Sequence, residues 1–95
     1  MKKNMGQSDL LQNLKEKRKE IDLIDQKLLT LLNHRLRIAL EIGKIKKEMG
    51  KKIDDPRREK EVLERLKLKN KGPLKDEDLK KIFTTIMKVC RKSQI

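Results

Sequence analysis

LKEKRKEIDLIDQKLLTLLNHRLRIALEIGKIKKEM, residues 14–49, decides the fold. Leu14, Ile21, Leu28, Leu32, Ala39, Ile42 and Met49 fall on one stripe, whose positions, with Arg18, Asp25, Arg35 and Lys46 between them, step alternately by four and three. That period belongs to a helix with a coiled-coil-like seam. Ser8 or Asp9 can cap its start, and Gly50 suits its stop. Gly43 lies inside the span; it weakens the helix modestly but permits close packing. The spacing predicts one helix from Ser8 or Asp9 to Met49, roughly 60 Å long at 1.5 Å per residue.

The rest of the chain is helical too. Asp54-Asp55-Pro56 reads as a carboxylate cap followed by proline in the first turn, opening a second helix that ends near Lys71, before Gly72-Pro73. Asp76 can cap a third helix that carries Leu79, Ile82, Phe83, Ile86, Cys90 and Gln94 on its inner face. No strand alternation and no Gly-rich phosphate loop occurs. The expected fold class is all-α, with three helices per chain. Residues 1–8 are expected to be a frayed polar segment, and residues 9–95 a single domain. Two short helices cannot cover both ends of the long one, so the apolar seam calls for a second copy. An intertwined homodimer is the simplest closed arrangement.

Composition narrows the function. The chain has 95 residues, 27 Lys plus Arg against 15 Asp plus Glu, and a formal charge of +12. Such a balance suits a nucleic-acid binder, an enzyme that attracts a small anion, or the Lys/Glu-rich surface of heat-adapted proteins. Phe83 is the sole aromatic residue, so stacking platforms for single-stranded nucleic acid are missing. One His and one Cys supply neither a metal set nor an intrachain disulfide. No apolar run reaches membrane length and no signal peptide is visible; the cytoplasm is the expected compartment.

The seam itself is unusual. Arg18, Asp25, Arg35 and Lys46 occupy positions that the period assigns to apolar residues. One polar seam residue commonly sets register; four exceed that need, although long side chains can snorkel. Arg35 and Lys46 lie within roughly 20° of each other on the helix, so both can reach one small ligand. Arg18 is about 25 Å from Arg35 along the axis and serves another subunit's site more readily. In DDPRRE, residues 54–59, Arg57 and Arg58 oppose the dipole of a helix N-terminus. Solvated charge explains Arg57; an anionic ligand explains Arg58. Cys90 and Gln94 stand one turn apart on the third helix, where a lone cysteine ordinarily acts as a small buried apolar group.

RKEIDLIDQKLLTLLNHR, IALEIGKIK, DDPRREKEVLERL and IFTTIMKVCRKSQ, taken in this order, resemble the all-helical, type II chorismate mutases. The likeness covers about residues 14–94. It implies an intertwined homodimer with shared active sites that converts chorismate to prephenate, toward phenylalanine and tyrosine, without a cofactor or metal. It further implies that Arg18 crosses into the partner's site, that Arg35 and Arg58 grip the substrate, and that Lys46 and Gln94 donate to the ether oxygen. Asp55 and Glu59 match positions near the ring hydroxyl. Cys90 falls where the family often has serine, a departure at one polar contact.

The implied reaction is a pericyclic rearrangement of a flexible dianion. Cations on rigid helices can clamp its carboxylates in a chair-like conformer. Donors aimed at the ether oxygen can stabilise charge that grows as the C–O bond breaks. Three rivals stand beside this reading. A related lyase uses the same scaffold to split pyruvate from isochorismate; Glu59 and the Lys46/Gln94 pair lean away from it. A basic helical module would bind nucleic acid with steep salt dependence. A catalytically idle regulatory subunit is the third.

Overall fold

The computed structural model describes residues 6–95, so the first five residues, with most of the expected frayed segment, lie outside it. Three helices follow in order: α1 (Gln7–Glu48), α2 (Pro56–Lys69) and α3 (Asp76–Ser93). No strand occurs among the described residues.

Each helix stops where its sequence provides a stop. Gly50 takes φ 67°, the left-handed conformation. Its N–H donates to the Lys47 carbonyl at 3.1 Å, and the Lys51 N–H donates to the Lys46 carbonyl at 2.8 Å. This is a Schellman closure, and glycine reaches the required backbone angle without steric cost. At the start of α2, the Asp55 carboxylate accepts from the Arg58 N–H at 3.1 Å, with Pro56 in the first turn. The helix ends two residues before the expected Lys71. Asn70 turns extended there; its amide donates to the Leu74 carbonyl at 2.7 Å and its side-chain oxygen accepts from the Gly72 N–H at 3.2 Å. A short amide side chain competes in this way with continued helix. Asp76 does not cap α3. The preceding Lys75 does, through its backbone, and Asp76, Glu77 and Asp78 form the first turn, where their charges complement the helix dipole.

The chain divides into two compact units, residues 1–34 and 35–95. The described part of the first unit is almost wholly the N-terminal stretch of α1. There Leu10, Leu11, Leu14, Ile21, Leu23, Ile24, Leu28, Leu29 and Leu31 are all exposed. The second unit holds the end of α1 with α2 and α3, and α2 packs against α3. Its core is small: Ala39, Leu79, Met87 and Cys90 are the buried apolar residues, joined by Gly43. Of the inner face expected on α3, Leu79 and Cys90 are buried and Phe83 and Ile86 half-buried, whereas Ile82 is exposed. Met87 takes the buried position instead, one residue round from Ile86.

Candidate active site

The second unit forms an open cavity of about 280 Å³. Arg35, Lys46, Asp55, Arg58, Glu59, Cys90 and Gln94 all line it, over an apolar bed that includes Ile38, Ile42, Val62 and Met87. The end of α1 supplies Arg35 and Lys46, the start of α2 supplies Arg58 and Glu59 with the capping Asp55, and the end of α3 supplies Cys90 and Gln94. Arg18 belongs to the first unit and is not among the lining residues. Arg57 is 93% exposed and sits 4.0 Å from Glu61, which agrees with solvated surface charge.

Most lining groups are held by the chain's own partners. Lys46 Nζ donates to the Ile53 carbonyl at 3.1 Å. An ammonium has three donors, so two remain. Gln94 Nε2 donates to the Ala39 carbonyl at 2.6 Å. That acceptor also fixes the amide orientation, because the side-chain oxygen cannot bond to another oxygen. A second N–H of the same nitrogen stays free to donate. Arg35 Nη1 lies 3.1 Å from Cys90 Sγ, a charge-assisted contact to a soft acceptor that pins the guanidinium on α1 to α3. Arg58 is looser: its Nη1 is 3.8 Å from a Glu61 carboxylate oxygen and its side chain is 55% exposed. It therefore has the freedom to turn toward a ligand.

Gly43 makes this arrangement possible. A Cβ built there would stand 3.0 Å from Gln94 Cγ and 3.1 Å from Gln94 Cβ. Hydrogen in place of a methyl group lets Gln94, just past the end of α3, lie directly on α1. The close approach expected at Gly43 thus has a specific object, the placement of Gln94.

One charged cavity residue escaped the sequence reading. Arg91 also lines the cavity. Its Nη1 donates to a Glu59 carboxylate oxygen at 2.6 Å and its Nε is 3.3 Å from Asp54. The available signal was spacing: Arg91 precedes Gln94 by three residues, and such residues are neighbours on a helix surface.

An all-helical fold with a small pocket, walled by cations and two anchored donors, defines a class of helical protein suited to compact anions. The chain belongs to the chorismate mutase type II family, whose model matches residues 17–95. The chorismate mutase of Methanocaldococcus jannaschii is 37% identical over 79 residues, which cover 82% of this chain and 80% of that protein. The Helicobacter pylori chorismate mutase, solved in complex with prephenate, is 44% identical, with 90% of this chain and 89% of that one covered and a TM-score of 0.78. The bifunctional chorismate mutase/prephenate dehydratase of Aquifex aeolicus is 40% identical over 84 residues, 84% of this chain. Here the chain spans only 23% of the relative's length.

Proposed function

We propose that this chain is a chorismate mutase, an isomerase that rearranges chorismate to prephenate in the pathway to phenylalanine and tyrosine. The observation that carries the reading is the pair of anchored donors: Lys46 and Gln94 line one cavity and each is tied to a backbone carbonyl of α1 or of the segment just after it. Donors fixed before the reaction need no reorganisation as charge grows on the breaking ether oxygen, and their effect is concentrated in the transition state. Arg35 and Arg58 bind the two carboxylates and hold the reactive conformer. Orientation of this kind can supply several kcal/mol of the barrier, on the order of 7 or more in favourable cases. The ring hydroxyl meets Glu59 and Asp55, although one Asp55 oxygen already caps α2. Cys90 acts through its contact with Arg35. The rearrangement is unimolecular and redox-neutral, and this reading assigns it no cofactor or metal.

The working unit is a homodimer with shared sites. The run of exposed Leu and Ile along the first part of α1 supports it, since an isolated helix in water is marginal without tertiary cover. Arg18, absent from its own chain's cavity, then completes the partner's. No helix of the described residues is long and apolar enough to cross a membrane; we place the reaction in the cytoplasm.

The test is chorismate loss followed by ultraviolet absorbance, with prephenate identified as product, for wild type and Lys46→Ala. A drop in kcat on the order of 10²–10³ in the variant is expected. Turnover of isochorismate to pyruvate in place of chorismate turnover would assign the lyase reading instead. A folded wild type that acts on neither substrate would refute both.

A further inference from the structure

Arg91 has no role in the mechanism above, yet it is the best-paired cation at the cavity. It is 70% covered, its Glu59 partner is 28% exposed, and their contact is the short one at 2.6 Å. Its other nitrogen reaches Asp54, so one guanidinium ties the last turn of α3 to both sides of the Pro56 turn that opens α2. Four cations and two carboxylates line the cavity: Arg35, Lys46, Arg58 and Arg91 against Asp55 and Glu59. Within one chain the formal surplus is two positive charges, to which the partner's Arg18 adds a third, so the pocket favours an anion.

A carboxylate beside a bound dianion is a liability, because like charges at short range repel strongly in a partly desolvated site. Asp55 is occupied by a backbone N–H of its own helix. Glu59 has Arg91. From this geometry we infer that Arg91 is a positioning and specificity-determining residue. It holds the Glu59 carboxylate in place and cancels its charge, so that Glu59 can accept from a substrate hydroxyl without repelling the substrate's carboxylates. This rests on the mutase reading. Arg91 acts through Glu59 and needs no contact with substrate.

The experiment is a cycle of Arg91→Met, Glu59→Gln and the double variant, with Arg91→Lys as the conservative control. Kinetics on chorismate and helical content are measured for each. Arg91→Met leaves an uncompensated carboxylate in the pocket, and KM should rise by about tenfold or more, with a smaller fall in kcat. Arg91→Lys keeps the charge and should recover most of the loss. In the Glu59→Gln background the cavity carboxylate that Arg91 pairs with is gone, so Arg91→Met should change KM by less than about threefold. An unchanged KM in Arg91→Met, or the same fold-loss in both backgrounds, overturns the inference. So does failure of Arg91→Lys to recover activity while folded. Where Arg91→Met loses helical content, Arg91→Gln takes its place in the cycle with the same expectation, a KM rise of about tenfold that shrinks below about threefold in the Glu59→Gln background, and an equal change in both backgrounds overturns the inference. An inactive but folded wild type overturns the mutase reading itself, and this inference with it.

Discussion

Gly43→Ala should separate stability from catalysis. Glycine in a helix interior costs about 1 kcal/mol relative to alanine, so the backbone alone would favour the change. The new methyl meets Gln94 Cγ at 3.0 Å, Gln94 Cβ at 3.1 Å and Gln94 Cα at 3.6 Å. Ordinary contact begins nearer 3.4 Å, so the side chain must retreat by a few tenths of an ångström. Gln94 lies at the C-cap of α3, outside the buried core, and can move without disturbing a core layer. Its bond to the Ala39 carbonyl, at 2.6 Å, has little room to lengthen before the amide loses its anchor. The net change in stability should fall within about 1 kcal/mol of zero, as propensity offsets the lost contact. Activity should not be spared. A full ångström of misplacement costs about 10² in rate, so a donor displaced by a few tenths of an ångström should lose roughly tenfold in kcat. The assay is kcat on chorismate beside thermal unfolding, for Gly43→Ala, Gln94→Ala and the pair. If Gly43 acts by placing Gln94, the alanine at 43 should add almost no loss of activity in the Gln94→Ala background, where no donor remains to displace. Full activity in Gly43→Ala, or an equal loss with and without Gln94, would refute the reasoning.

Shared sites can be tested by mixing inactive dimers. Arg18→Ala and Lys46→Ala chains, refolded together, should recover about a quarter of wild-type activity, because half the dimers are mixed and each of those has one intact site; no recovery would mean that Arg18 serves its own chain. Asp55→Ala should cost about 1 kcal/mol through loss of the α2 cap, read as a lower thermal midpoint, while Asp55→Ser should retain most of that stability. If Asp55→Ser matches wild type in both stability and kcat, the residue works as a cap alone.

Local features of the fold were open to reading from the sequence. The period of the seam, the Asp55-Pro56 start and the Gly50 stop are properties of residues close in the chain, and each matches the structure to within a residue or two. The departures are informative. Asn70 ends α2 early and Lys75 replaces Asp76 at the head of α3 because polar side chains and backbone compete for the same few bonds at helix ends. The cations that interrupt the seam were visible as anomalies, and their spacing on one face of α1 needed only helix geometry.

What tertiary structure alone decided is which groups stand opposite one another. Arg35 meets Cys90 and Ala39 meets Gln94 across 55 positions of sequence, and Arg91 meets Glu59 across 32. No periodicity encodes such pairs. The acceptors that hold Lys46 and Gln94 are backbone carbonyls, which every residue possesses, so no side chain marks them. The sequence by itself determined the helices, the anomalous charges and the glycine that permits close approach. Packing the end of α3 onto α1 and α2 turned those charges into one cavity, because only that closure brings distant donors and carboxylates within a few ångströms.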